Sequence, residues 1–209
     1  MIIIKLFLIA IVTVLLNACG SDDSSVSKKN SEENILEPLL SEPEKLSPAD
    51  RAKALEAVKI EGSNLEFVKK PYTKDREIVL AAIKHNPTAL VFADDSLKKD
   101  KELVLVAVKL NGESLEFADD SLKNDIDVVL AAVTSFPAAL EFAHGSIQKN
   151  KDIVLVAVEL NGIVLEFADY SLKKEIDVVM TAINNDQEAI EFIDETLKNN
   201  EKILEAAGK

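Results

Sequence analysis

The chain has 209 residues, 47% of them hydrophobic, which is enough for one ordinary domain with a substantial buried core and too apolar for a disordered chain. Its 24 basic and 37 acidic residues leave a net charge of -13, which repels phosphate backbones and speaks against a nucleic-acid partner. There is no Trp, a single Cys and two widely separated His, so the raw material for metal, thiol or acid-base chemistry is thin.

The N-terminus, MIIIKLFLIAIVTVLLNACG, places one early positive charge, Lys5, before an apolar run from Leu6 to Leu16, then small residues and Cys19. That is the layout of an export signal, and the run is shorter than the roughly 20 apolar residues that a spanning helix needs. Leu16-Asn17-Ala18-Cys19 resembles the lipobox of bacterial lipoproteins. The resemblance implies a signal peptide over residues 1–18, cleavage before Cys19, and a Cys19 thiol joined to diacylglycerol and carrying acyl chains such as palmitate. An uncleaved anchor is the alternative. As the one cysteine, Cys19 can form no disulfide within the chain, and a lipidated thiol is no nucleophile. Two or three acyl chains hold a protein stably, so the expected membrane contact is lipidated Cys19. Gly20, rather than Asp, behind the cysteine implies the outer membrane, and Ser21-Asp22-Asp23 resembles a short acidic signal for the cell surface. Acidic residues are also ordinary in tethers, so the periplasmic and surface faces both stay open.

Residues 19–47 are rich in Ser, Glu, Asp, Lys and Asn, with Pro38 and Pro43, a composition that reads as a flexible polar tether. Ile35, Leu36, Leu39 and Leu40 form its one apolar cluster, with docking on the first repeat as the alternative to a solvated linker. Ser47-Pro48-Ala49-Asp50 then gives an N-cap, a first-position Pro and an acidic first turn, and a repeat domain over residues 48–209 begins.

Units of 25 residues begin at Arg51, Arg76, Lys101, Ile126, Lys151 and Ile176, with a truncated seventh at Glu201. Numbering the places within a unit, apolar residues recur at the fourth, fifth and eighth: Val104, Leu105 and Val108, then Val129, Leu130 and Val133. This spacing predicts one buried helical face. The seventh place is Ala in every unit, from Ala57 to Ala207, which suggests close packing of another helix. Gly62, Pro87, Gly112, Pro137 and Gly162 then break the helix, while Gln187 takes that place in the sixth unit. Leu115, Ala118 and Leu122 suit a second, shorter helix, although Asp119-Asp120-Ser121 could equally end it. Phe67, Phe92, Phe117, Phe142, Phe167 and Phe192 share one place and are expected as a ladder in the core.

The predicted fold is therefore all-α, a helical-repeat solenoid of six helix-turn-helix units plus a partial C-terminal capping helix. The rival is a parallel β-solenoid, because LVLVAV and VVLAAV are rich in β-branched residues, but the invariant Ala and the Pro start favour helices. Units 101–125 and 151–175 agree at 17 of 25 positions, whereas 101–125 and 126–150 agree at 9, so alternate units are closer kin. The two classes differ at the turn, Asn111-Gly112 against Phe136-Pro137, which predicts alternating local geometry. Lys53 and Ala54 in the first unit, and Glu205 and Gly208 in the last, read as caps.

Stretches such as DREIVLAAIKHNPTALVFADDSLKKD and DIDVVLAAVTSFPAALEFAHGSIQKN resemble the bacterial repeat family known as domain of unknown function 4116, with its acidic start, V-L-x-A-V core, N-G turn and L-x-F/Y-A segment. The resemblance covers Arg51 to Asn200, supports helical repeats and brings no catalytic residues with it.

One edge collects carboxylates at the nineteenth and twentieth places: Asp94, Asp95, Asp119, Asp120, Asp169, Asp194 and Glu195. Such a row suits Ca²⁺ or a basic partner, or else caps helix ends and turns. Lys69-Lys70 opens the row with the opposite sign, and His144-Gly145 interrupts it. His85 and His144 occupy different places and read as surface residues. No phosphate loop, H-E-x-x-H, paired cysteines or nucleophile elbow occurs, and no catalytic residue, metal site or cofactor is expected. The reading is a non-enzymatic, lipid-anchored envelope protein that binds another protein or peptide. The alternative is a structural surface protein that self-associates.

Overall fold

The computed structural model describes residues 47–208. The expected signal peptide, Cys19, the Ser21-Asp22-Asp23 signal and the 35–40 apolar cluster lie outside the described residues. The described chain folds as the predicted all-α repeat array, with no strand among the described residues. The first helix of each unit is α1 Pro48–Ile60, α2 Arg76–His85, α3 Lys101–Leu110, α4 Ile126–Ser135, α5 Lys151–Leu160, α6 Ile176–Asn185 and α7 Glu201–Ala206. Ser47 caps α1 by accepting from the N–H groups of Ala49 and Asp50, Asp75, Asp125, Asn150 and Asn200 cap later first helices in the same way, and Asp100 caps α3 through the Leu103 N–H.

The second half of each unit is not one helix but two short pieces. A 3-10 helix, Gly112–Phe117 in the third unit, is followed by a one-turn helix, Asp120–Lys123. Between them Ala118 and Asp119 are extended, and Asp119 caps the new turn, so Asp119-Asp120-Ser121 begins a helix and does not end one. Each new turn hangs on the previous unit by one backbone bond: Asp119 N–H donates to the Lys98 carbonyl at 3.1 Å, and His144 N–H to the Lys123 carbonyl at 3.0 Å.

The core lies between the layer of first helices and the layer of short pieces, and it corrects two expectations. The buried places of the first helix are the third, fourth, seventh and eighth: Leu103, Val104, Ala107 and Val108 have no exposed surface. At 100° per residue these four span one arc, and the fifth place falls outside it, so Leu105 is half-buried and Leu130 is 39% exposed. The phenylalanine ladder is also displaced. With three residues per turn, Gly112 and Leu115 share an edge of the 3-10 helix and are buried, as is Ala118 directly behind it, while Phe117 falls on another edge. Phe92, Phe117, Phe142, Phe167 and Phe192 therefore flank the core half-buried, and Phe67 is 55% exposed.

The two turn classes share one backbone. The residue after each first helix is extended, with φ between -138 and -153° and ψ between 99 and 117° from Glu61 to Asp186. What alternates is how closely neighbours approach. A Cβ on Gly62, Gly112 or Gly162 would stand 2.2–2.4 Å from the carbonyl oxygen of Ala82, Ala132 or Ala182 in the next unit. The glycine is thus required by a neighbouring backbone and not by its own φ, and the recurring Ala is its counterpart. Where Pro87 and Pro137 stand instead, α2 meets α3, and α4 meets α5, less extensively than α3 meets α4.

The ends follow the logic of a finite stack. Lys53 replaces the buried third-place residue in the first unit, and Glu205 and Gly208 are exposed in the last. Gln187, which stands where earlier units have Gly or Pro, reaches the Ala206 carbonyl at 3.4 Å and so borders the C-terminal helix.

Candidate interaction surface

The nineteenth-place carboxylates face inward to the chain's own hydrogen bonds. Asp94, Asp119 and Asp169 each accept from the backbone N–H and the hydroxyl of the Ser two residues on, at 2.6–3.1 Å. Each also pairs with a lysine of the preceding unit: Lys74 with Asp94, Lys99 with Asp119 and Lys149 with Asp169, at 3.7–3.8 Å. The Ser contacts, then the lysines, hold these carboxyls below the usual carboxylate range. Where the carboxylate becomes His144, the lysine becomes Asn124. His144 Nδ1 accepts from Ser146 N–H at 3.2 Å in place of the aspartate, and the Ser146 hydroxyl bonds to Asn124. Asp95, Asp120 and Glu195 point into solvent and pair only with Lys98, Lys123 and Lys198 three residues on. Such exposed pairs contribute little, about 0.2–1 kcal/mol each. Among the described residues no three His, Cys, Asp or Glu side chains come close enough to share a metal ion.

Asp194 and Tyr170 form the one variation with depth. Asp194 is 3% exposed and accepts from Thr196 N–H, the Thr196 hydroxyl and the Tyr170 hydroxyl, with Lys174 Nζ at 3.8 Å. Lys174 also lies 4.3 Å from the centroid of the Tyr170 ring. The Thr196 and Tyr170 hydroxyls hold the Asp194 carboxyl down at about 2, and the Asp194 carboxylate in turn raises the Tyr170 phenol. Because the folded pKa is depressed, the stabilisation is complete above the unfolded value near 4 and is lost as pH falls toward 2. Asp194→Asn keeps an acceptor and removes the charge. It is expected to lower the Tm at pH 7 and to melt like the parent near pH 2, read by thermal scans across that range.

A second ladder, hidden in the sequence, joins the first helices at their N-terminal ends. Arg51 reaches Asp75 and Glu77 at 2.6 Å, Arg76 reaches Asp100 at 2.7 Å and Glu102 at 3.0 Å, Lys101 reaches Asp125 and Asp127 at 2.8 Å, and Lys151 reaches Asp177 at 2.7 Å. The Arg51 guanidinium holds the Asp75 carboxyl below its ordinary range. Where the first place is Ile126 or Ile176, the acid 24 residues on becomes Asn150 or Asn200. The nineteenth-place row and this second ladder are thus spent between consecutive units, while Asp95, Asp120 and Glu195 pair within their own.

Two surfaces are left over. On the second layer, the half-buried Phe row runs beside exposed Glu116, Glu141, Glu166 and Glu191 at the preceding place. A groove of about 320 Å³ opens there between the first two units, lined by Glu66, Lys70, Phe92 and Asp94 among others. On the first layer, Leu55, Leu80, Leu105, Leu130, Leu155 and Met180 form a stripe across the outward face of α1 to α6. Six of the ten exposed large apolar side chains, Ile60, Leu110, Ile126, Leu130, Leu160 and Ile176, belong to these helices, Leu130 in the stripe and the others at the helix ends.

Five overlapping matches to the family described as domain of unknown function (DUF4116) cover residues 50–98, 75–123, 100–148, 125–173 and 150–198, together well over half the chain. The chain belongs to the DUF4116 family. No curated protein and no solved structure matches it. The DUF4116 matches from residue 75 onward start on the N-cap of a first helix, the first starts at Asp50 within α1, and all end in or directly after the short helical turn of the next unit, so the family's module is two consecutive 25-residue copies. That pair is the minimum in which a first helix, its turn and the neighbour that buries them all occur. Among the described residues no helix is long and apolar enough to cross a membrane.

Proposed function

We propose that this protein is an exported, lipid-anchored DUF4116 lipoprotein whose repeat stack binds another protein or peptide. The observation that carries the binding role is the Phe and Glu row of the second layer. It sets the same partly exposed ring, packed against the margin of the core, beside a carboxylate in unit after unit. In-register repetition over several units suits an extended client that makes one contact per unit, and no single cluster of polar groups suits catalysis. The anchoring role rests on Leu16-Asn17-Ala18-Cys19, and the Ser- and Glu-rich segment behind it gives the stack reach from the outer membrane.

Two measurements test the two halves of this reading. Cys19→Ala is expected to move the protein out of the membrane fraction, and unchanged fractionation removes the lipid anchor. Protease shaving of intact cells then separates the surface face from the periplasmic one. A photo-crosslinking residue at Glu116, Glu141 or Glu166 is expected to trap one common adduct that the same residue at Asp186 does not. Adducts that do not differ between these sites remove the client surface.

A further inference from the structure

We propose that the client of the Phe and Glu row is a cationic segment in the polyproline II conformation, with Lys or Arg at every third residue. This rests on the client reading above and adds the shape and charge of what binds. The step between copies is uniform, because one backbone bond recurs at every junction of the second layer. The N–H groups of Asp94, Asp119, His144, Asp169 and Asp194 each donate at 2.9–3.1 Å to the twenty-third-place carbonyl of the preceding unit. Helices packed in direct contact stand about 8–10 Å apart, so a client with one contact per unit needs like side chains on one side at that interval. A polyproline II segment turns once in three residues at about 3.1 Å per residue, which brings every third side chain into register. A β-strand covers a similar length in three residues but turns that side chain to the opposite face. An α-helix returns the same face after seven residues, about 10.5 Å, but docks by sinking a continuous apolar stripe into a groove. Here the rings stand one unit apart, with exposed carboxylates recurring among them, which suits the separate aromatic plates on which polyproline II segments lie.

The charge of the client follows from what the two ladders leave. Glu116, Glu141 and Glu191 are exposed and enter no ion pair among the described residues. Glu166 lies in the field of Lys173, whose Nζ bonds to the Glu166 carbonyl at 2.6 Å. Each of these glutamates stands one residue before a Phe of the row, so a guanidinium can lie against the ring and pair with the carboxylate at once. Units three to six supply this combination in succession. Toward the N-terminus it ends: Val91, 37% exposed, takes the glutamate's place in the second unit, and Lys70 stands in the first where later units have Asp95 and Asp120. The matching client therefore carries four cations at a period of three, with an apolar residue three places beyond one end of the run.

The test is binding of labelled peptides to the full chain in a neutral detergent at low salt, followed by fluorescence anisotropy. A peptide of four Arg-Pro-Pro triplets is expected to bind about tenfold more tightly than one of the same composition with its Arg residues in a single block, because the block spans only one step and meets two units at most. A helical peptide with Arg at every seventh residue is expected to bind no better than the block. Glu116→Gln, Glu141→Gln and Glu166→Gln should each weaken the triplet peptide by about two- to fivefold, the range of an exposed ion pair. Glu159→Gln removes the same charge from the exposed side of the first layer and is expected to leave affinity unchanged. Equal affinity for triplet and block peptides, tighter binding of the helical peptide, or no binding of any of them overturns the proposal. So does a loss at Glu159 equal to that at Glu141, which marks attraction by net charge alone. The adduct trapped from Glu141 keeps the two readings apart. Where it forms without the period-three preference, the row has a client of another shape, and where neither appears both readings fall.

Discussion

Gly112→Ala is expected to destabilise the stack by about 3 kcal/mol, the upper end of what overpacking costs, although it adds one methyl group to a turn. The added Cβ would lie 2.2 Å from the Ala132 carbonyl oxygen and 2.8 Å from the Phe136 Cβ. Neither neighbour is the free end of a side chain. Moving the carbonyl disturbs α4 where the Ala132 oxygen already accepts the Phe136 N–H at 2.8 Å. The units must therefore separate, and separation exposes Ala132 and Val133, which have no surface now. Gly145→Ala is the matched control. No atom stands within 4 Å of its Cβ position, and it begins a one-turn helix, so Ala there is expected to leave stability unchanged or raise it by about 0.4–1 kcal/mol. Urea unfolding of the two variants measures the difference. Equal midpoints would mean that the turn glycines serve something other than close approach between units.

The same contact shows what the sequence could and could not convey. The 25-residue period, the helix start at Ser47-Pro48, the invariant Ala and the alternation of Gly with Pro are local facts and were legible. Why Gly alternates was not, because its cause is a carbonyl 20 residues further on, in another unit. Leu103 and Leu105 are chemically identical and one helical face can take either, so only the neighbouring layer decides that the third place is buried and the fifth looks out. The acidic edge was legible as a set of caps. Its neutralisation was not, yet a signal was present: Asn124 replaces Lys in the one unit whose partner is His144, and Asn150 and Asn200 replace acids where Ile126 and Ile176 replace cations. Paired changes between repeats of one chain report contact between units, since each unit touches the next through the same places. That signal could have moved attention from the edge to the two faces that the ladders leave unspent.

The usual ranking of core residues is inverted in this stack. Leu115→Ala is expected to cost about 2–5 kcal/mol, as large-to-small changes at fully buried sites do, whereas Phe117→Ala should cost less, about 1–3 kcal/mol, because part of its ring is already in water. For a Phe held in the core the order would be reversed. The comparison also separates packing from function. Leu115 is enclosed between the two layers and can affect a client only by loosening the stack. Phe117 stands beside Glu116 on the surface proposed for binding. Phe117→Ala should thus leave a chain that melts close to the parent but loses the adduct trapped from Glu141, while Leu115→Ala loses the adduct only as far as it unfolds. Denaturant midpoints and crosslinking yields on the same two variants decide the matter. If Phe117→Ala proves the more destabilising change, the ring belongs to the core after all, and the repeated Phe ceases to mark a surface.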